Sequence, residues 1–352
     1  FMSYITKPSA RHPRLPSNAV GLTVRDYEGS MSTLCAGCGH DSVTAALVQA
    51  FFELDIEPHR VAKLSGIGCS SKTPAYFVSE AHGFNSVHGR MPAIAAGANA
   101  ANRDLLYVGI SGDGDSLSIG LGQFCHAIRR NVNMLYVLEN NGVYGLTKGQ
   151  FSASADIGTT SKRGEVNEQE PIDPVNLALS LGATFVARSF SGDKPQLVPI
   201  LKAGLAHNGF AFVDVISPCV TFNDHEGSTK SYAYTRDNMH EVIETDFVPL
   251  RAEIKTDYAD GSVQAITMHD GSVVKLRKVT EQYDPNDRSG VVDYLSETRS
   301  RGEIATGLLF LEAAGADMHG FQGTGDQPLV DIPYETLCPG SAALDQLQAE
   351  WR

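Results

Sequence analysis

Between residues 31 and 225 the chain alternates apolar runs of strand length with stretches of helix length, and this constrains its fold more than any other feature. The strand candidates are Val61–Ile67, Leu105–Ser111, Met134–Glu139, Thr184–Ser189 and Ala211–Ser217. Helix candidates lie between them at Asp41–Leu54, Ala93–Asn102, Ser116–Arg129, Pro174–Leu181 and Lys194–His207. The strand runs are apolar on nearly every residue instead of on alternate ones. A strand of that kind is covered on both faces, as happens when parallel strands are joined by helices. The expected fold is therefore α/β with a parallel sheet. Small residues dominate Ala93–Ala101, so that helix is expected to pack closely against something.

Outside this block the texture changes. Residues 1–30 are rich in Pro and charge and read as an N-terminal arm. Beyond about residue 225 polar and acidic residues rise. Val263–Thr267 and Val273–Lys278 flank Asp270-Gly271, a hairpin signal. Residues 226–352 contain one clear apolar run, Ile304–Leu311, and end in a stretch rich in Gly and Pro, so they are expected to form an extended appendage against a partner.

Asp plus Glu outnumber Lys plus Arg by 41 to 28, a formal charge of −13, which argues against a nucleic-acid partner. No apolar stretch is long enough to cross a membrane. The first twenty residues lack the apolar core of a signal peptide, and Phe1 ahead of Met2 reads as an added residue. Six cysteines in a chain of 352 residues are too sparse for a secreted disulfide scaffold, so a cytoplasmic location is expected.

Two constellations carry chemistry. The run Leu105–Ser111 ends in Gly112-Asp113-Gly114-Asp115, and the run Met134–Glu139 ends in Asn140-Asn141-Gly142-Val143. In a βαβ unit both ends lie on one sheet edge, so Asp113 and Asn141 can meet there. One carboxylate oxygen, one amide oxygen and a backbone carbonyl make half of an octahedral Mg²⁺ shell, to be completed by diphosphate oxygens and water. Gly112 and Gly114 admit a diphosphate close to the backbone, with Asp115 beside it. Either half alone is also what an ordinary glycine turn with a capping Asp gives. The pair, at this spacing, resembles the GDG…NN motif of thiamine diphosphate (ThDP) enzymes. That resemblance implies Mg²⁺ ligation by the side chains of Asp113 and Asn141 and by the carbonyl of Val143.

The second constellation is Cys35-x-x-Cys38, Cys69 and Cys219, each in a turn at the expected C-terminal sheet edge. Four thiolates there can hold zinc or a [4Fe–4S] cluster, and the spacing does not separate the two. Cys125 lies within a helix candidate and Cys338 in the tail, both reading as structural thiols.

Cys35-Ala36-Gly37-Cys38-Gly39-His40, Gly66-Ile67-Gly68-Cys69-Ser70 and the run Asn140–Gln150 together resemble the β subunit of 2-oxoacid:ferredoxin oxidoreductases. The likeness runs through nearly all of residues 31–235. Leu337–Leu344 resembles longer bacterial members assigned to 2-oxoglutarate. Ala36 stands where the family usually has Pro, which leaves the thiols intact.

The resemblance implies a [4Fe–4S] cluster on Cys35, Cys38, Cys69 and Cys219. It also implies ThDP contacts from Ile67, Gly68, Cys69, Ser70, His88, Gly145 and Leu146. Lys72 is the candidate for a substrate carboxylate, with Arg90 and Lys148 as alternates. The implied reaction is oxidative decarboxylation of 2-oxoglutarate, with acyl transfer to CoA and single electrons passed to ferredoxin; reversal would fix CO₂. The family places the Glu that activates ThDP on an α (or fused γα) subunit, so this chain is expected to be half of an active site. The alternatives are pyruvate or a branched 2-oxoacid as substrate, a non-redox ThDP decarboxylase or synthase component, and a non-catalytic ThDP- or zinc-binding chain.

Overall fold

The computed structural model describes residues 12–243, 245, 263–267, 273–277, 283–312 and 315–351. The strands are β1 (Val61–Ser65), β2 (His82–Asn85), β3 (Leu106–Gly112), β4 (Met134–Asn140), β5 (Val143–Tyr144), β6 (Gln150–Phe151), β7 (Phe185–Phe190), β8 (Phe210–Ile216), β9 (Met239–Ile243), β10 (Val263–Thr267), β11 (Val273–Arg277) and β12 (Ile304–Leu311). Eight of them form one sheet in the order β2-β1-β3-β4-β8-β7-β12-β9. From β2 to β7 every pairing is parallel; β12 runs antiparallel to β7, and β9 parallel to β12. β4 and β8 are buried at every residue, which is why their sequences show no alternation.

The longer helices are α1 (Gly39–Glu53), α2 (Met91–Ala101), α3 (Leu121–Arg129), α4 (Pro174–Ser180), α5 (Lys194–Ala206), α6 (Tyr232–Asn238) and α7 (Arg288–Ser300). One core layer packs α1 and α5 on the sheet through Leu47, Phe51, Leu197 and Leu201. The opposite layer sets Met91, Phe124, Leu179 and Leu295, from α2, α3, α4 and α7, against Tyr136, Phe210 and Phe212. Phe124 meets Tyr136 and Phe212 edge-on, with ring centroids 5.2 Å apart in each pair. Among the described residues no helix is long and apolar enough to cross a membrane.

Several expectations change in the structure. The helix expected over Ser116–Arg129 is split into a π-helical turn, Gly114–Ile119, and α3. The break is at Gly120, where a Cβ would come within 2.8 Å of Gly89 Cα; the Gly89 turn is pressed too close for a side chain. α2 packs closely on β1, β3 and α3, yet its Gly97 faces open space. The N-terminal arm is docked: Tyr27 is fully buried in the core and its hydroxyl donates to the Ile56 carbonyl at 2.8 Å. β10 and β11 pair antiparallel as the hairpin signal expects, while Asp270, Gly271 and Lys278 lie outside the described residues.

The expected boundary near 225 does not divide the sheet. β9 and β12 complete it, and Leu309 and Phe310 of β12 are core residues. The apolar run Ile304–Leu311 was legible, but not its place beside β7. The final helices differ: α8 (Met318–Gln322) buries Met318 and His319, whereas α9 (Tyr334–Leu337) and α10 (Ser341–Ala349) bury nothing.

Candidate cofactor and metal site

The C-terminal ends of β1, β3, β4 and β8 open onto one sheet edge, and the expected site residues gather there. Asp113 follows β3 and Asn141 follows β4; both are buried. The Asn141 backbone N–H points at Asp113 Oδ1 from 3.5 Å, so the two residues are neighbours across the edge. The Asn141 side-chain oxygen accepts from the Val143 N–H at 3.1 Å, which closes the turn into β5. The Ser152 hydroxyl donates to Asp113 Oδ2. Ser154 Oγ lies 2.8 Å from both Asp113 Oδ2 and Asn140 Oδ1, one proton facing two acceptors.

Burial pushes the Asp113 carboxyl up from its ordinary value, against the pull of Ser152, Ser154 and the more remote Lys230. Among the described residues no Lys, Arg or His side chain pairs directly with it. A buried carboxylate beside an amide oxygen, with no protein cation of its own, suits a hard divalent ion. Nothing in the sequence pattern singled out Ser152 and Ser154. They follow β6, the return strand of the small β5–β6 hairpin, and only the fold brings them to Asp113.

The glycines behave as close-approach positions. A Cβ on Gly112 would stand 2.9 Å from Ser70 Oγ, and one on Gly114 would enter the Tyr144 ring at 2.4 Å. Asp115 is a brace: Oδ1 accepts from the Gly89 N–H at 2.9 Å and lies 3.0 Å from His88 Nδ1, while Oδ2 accepts from Ser111 Oγ at 3.1 Å. A Cβ on Gly66 would collide with Asp115 Oδ2, so this carboxylate pins the β1 turn, the His88 turn and β3 together. The His88 ring is exposed, as is Leu146, which follows the half-buried Gly145. Ile67 and Gly68 are half-buried and Ser70 is buried.

The four expected cysteines lie on neighbouring turns. The Cys35–Cys38 turn is closed by Cys38 N–H donating to Cys35 O at 3.0 Å, and Gly39 N–H donates to Pro218 O at 3.3 Å. A Cβ on Gly145 would lie 3.4 Å from Cys69 Sγ and 3.7 Å from Cys219 Sγ, so both sulfurs flank one glycine. Asn223, four residues after Cys219, donates its side-chain N–H to the Asn141 carbonyl at 2.8 Å, which ties the cysteine turn to the Asp113–Asn141 pair. Burial pushes the Cys38 thiol up to about 12 and raises Cys69 and Cys219; nearby Cys219 and Cys35 add to the rise. All six cysteines are free thiols. Among the described residues no three His, Cys, Asp or Glu side chains stand gathered as a metal-binding set. The donor chemistry nevertheless fits a thiophilic centre: thiols crowded on three turns, with glycine where a side chain would fill the space between them. Cys125 lies in α3 and Cys338 in the exposed tail, both apart from this edge.

Lys72 is half-buried three residues after Cys69 and makes no ion pair among the described residues; its charge acts on the Cys69 thiol. Beneath the turns, Glu139 is fully buried and accepts from Thr73 Oγ1 at 3.1 and 3.0 Å, through its two oxygens. Burial raises its carboxyl well above the ordinary range and lowers buried His40 to about 4, so His40 is neutral. Sequence reasoning missed this pair because a Glu inside an apolar strand carries no pattern. On the far side of Asn140 and Ser154 lies a cavity of about 340 Å³, lined by Arg188, Asp214 and Lys230 among others.

A family model described as "Thiamine pyrophosphate enzyme, C-terminal TPP binding domain" matches residues 66–215, from the end of β1 to β8. The chain is 43% identical to the 2-oxoacid:ferredoxin oxidoreductase subunit beta of Saccharolobus solfataricus, across 56% of this chain and 65% of that one. It is 43% identical to the 2-oxoglutarate oxidoreductase subunit KorB of Mycobacterium tuberculosis, across 54% and 51%. With the 2-oxoglutarate synthase subunit KorB of Methanocaldococcus jannaschii the identity is 38%, across 53% and 69%. The chain thus spans between half and two thirds of several of these curated relatives. In three dimensions it resembles a chain of the 2-oxoglutarate:ferredoxin oxidoreductase from Magnetococcus marinus, solved with 2-oxoglutarate, coenzyme A and succinyl-CoA bound. That match has a TM-score of 0.70 and 30% identity, covering 86% of this chain and 89% of the other. The sheet is that of a thiamine pyrophosphate-binding α/β fold.

Proposed function

Because the chain belongs to the β subunits of the 2-oxoacid:ferredoxin oxidoreductases, we propose that it holds ThDP, Mg²⁺ and one [4Fe–4S] cluster for the CoA-dependent oxidation of 2-oxoglutarate to succinyl-CoA and CO₂. The observation that carries this reading is the joining of two loop sets at one sheet edge. Asn223 links the Cys219 turn to Asn141, and Gly145 of the Asn141 loop lies under Cys69 and Cys219.

In this reading Asp113, Asn141 and the Val143 carbonyl hold Mg²⁺. Gly112, Gly114 and the Ile67–Ser70 turn admit the diphosphate. Asp115 keeps that turn and His88 in place, and Gly145 and Leu146 line the cofactor. Cys35, Cys38, Cys69 and Cys219 hold the cluster. When bound, ThDP supplies a nucleophilic carbon and an electron sink for decarboxylation, and the cluster accepts electrons one at a time. Lys72, with no ion-pair partner among the described residues, receives a substrate carboxylate as a point charge. The described residues build one large sheet, so the Glu that faces the aminopyrimidine is assigned to an α (or fused γα) partner, without which the chain is inactive. Ferredoxin is the electron acceptor. The likeness of this chain to two 2-oxoglutarate relatives and to one solved 2-oxoglutarate enzyme favours that substrate over pyruvate.

Iron and acid-labile sulfide analysis of anaerobically purified protein, with Cys219→Ser beside it, tests the cluster. The wild type is expected to carry four irons and four sulfides per chain. The Ser variant is expected to lose most of them, because a hydroxyl is a harder and poorer ligand. Stoichiometric zinc in place of iron would refute the redox reading.

A further inference from the structure

One buried polar network runs between the three cysteine turns and the Asn141 turn. His40 stands two residues after Cys38, Thr73 four after Cys69, Ser217 two before Cys219, and Glu139 two before Asn141. His40 Nδ1 lies 2.6 Å from Ser217 Oγ and 3.7 Å from Glu139 Oε2, and Thr73 Oγ1 donates to the Glu139 carboxyl. Each of the four is at most 1% exposed. The turns themselves have little else in common: Cys38 caps α1, Cys69 precedes a 3₁₀ turn, and Cys219 follows β8. The space is also sealed, since a Cβ on Gly39 would come within 2.5 Å of Ser217 Oγ.

We propose that Glu139 is a positioning residue for the iron–sulfur centre: through Thr73 and through the His40–Ser217 pair it holds the Cys69, Cys38 and Cys219 turns at the separation the cluster needs. The inference rests on the [4Fe–4S] reading above. Glu139 is not a ligand and touches no reacting atom. Its role is to accept hydrogen bonds from one cysteine turn while packing against the pair that joins two others. A buried acceptor matters mainly through what its removal leaves unpaired. Groups that orient a metal's ligands typically alter metal retention by about 10- to 100-fold when lost.

The test uses the full chain purified anaerobically with its partner subunit. Release of iron to an excess of chelator is followed for the wild type, Glu139→Gln, Glu139→Leu and Thr73→Val. Glu139→Gln keeps an acceptor for Thr73 and is expected to release iron at the wild-type rate. Glu139→Leu and Thr73→Val are expected to release it about tenfold faster or more, while ThDP affinity stays near wild type. Thr73→Val keeps the branched shape and removes only the donor hydroxyl, so it serves if the Leu variant does not fold. Wild-type release rates in Thr73→Val would overturn the proposal. So would Glu139→Gln losing iron as fast as Glu139→Leu. A wild type that holds no iron instead refutes the cluster itself, so the two failures are distinguishable.

Discussion

Asp113 is a carboxylate buried against its own preference. Burial raises its proton affinity, two serine hydroxyls partly compensate, and among the described residues no cation pairs with it directly. A divalent ion would supply the missing charge. Asp113→Ala is therefore expected to reduce ThDP retention by at least tenfold, read as cofactor content after gel filtration. Unchanged content would remove Asp113 from the site. The glycines and asparagines of this motif were legible in sequence because diphosphate chemistry needs small residues and oxygen donors at set spacings. Ser152 and Ser154 were not, because their role exists only once the β5–β6 hairpin folds back.

Arg188 shows the opposite solution to a buried charge. Its Nε lies 2.8 Å from Asp214 Oδ2 and its NH2 2.8 Å from Asp173 Oδ1. Burial alone would raise Asp173, but the guanidinium together with the Asn176 and Val175 N–H groups more than offsets it and holds the carboxyl below its ordinary 3.8. A folded-state value below the unfolded one stabilises above about pH 4 and is lost as pH falls through the folded value. Arg188→Leu would leave buried Asp214 and half-buried Asp173 without their guanidinium, at a cost of about 3–5 kcal/mol near neutral pH. The gap to wild type should shrink by about pH 4, because protonated carboxyls no longer need the guanidinium. Urea unfolding of both proteins at the two pH values measures it; a gap independent of pH would contradict this account.

At the scale of elements, the strand runs from Leu105 to Ser217 were readable because a strand covered on both faces must be apolar throughout. β2 was not, since His82–Asn85 is exposed at every residue and sits at the sheet edge. β9 was missed for a related reason: Met239–Ile243 is mostly half-buried and mixed in polarity. The tail divides by burial. β12 is in the sheet, and Met318 is held by its N–H donating to Asn131 O at 3.1 Å, so both belong to the folded body. Among the described residues beyond Pro328 none is buried, while Val330, Tyr334, Leu344 and Trp351 are exposed. Ending the chain after Pro328 is expected to leave the thermal midpoint within about 2 °C of the full chain and to impair recovery of the partner subunit. Ending it before Ile304 is expected to abolish folding. A full-strength complex from the shorter of the two folded chains would take the interface away from the tail.

At the scale of the whole molecule, the sequence carried both the parallel run of the sheet and the candidate site residues at its C-terminal edge, because each rests on local residue chemistry. What stayed hidden was long-range: the return of β12 to lie against β7, and the network by which Glu139, His40, Thr73 and Ser217 connect separate turns. The same division holds for the cysteines, since the Cys35–Cys38, Cys69 and Cys219 turns are far apart in sequence and become neighbours only through the sheet. We propose that this edge, completed by a partner subunit, oxidises 2-oxoglutarate. The most direct measurement is the rate of ferredoxin reduction by the anaerobic complex with CoA, comparing 2-oxoglutarate with pyruvate at matched concentrations. The account expects reduction that depends on both CoA and 2-oxoglutarate and is much slower with pyruvate. Faster reduction with pyruvate would contradict the substrate, and no reduction with any 2-oxoacid by a complex loaded with ThDP and iron would contradict the claim itself.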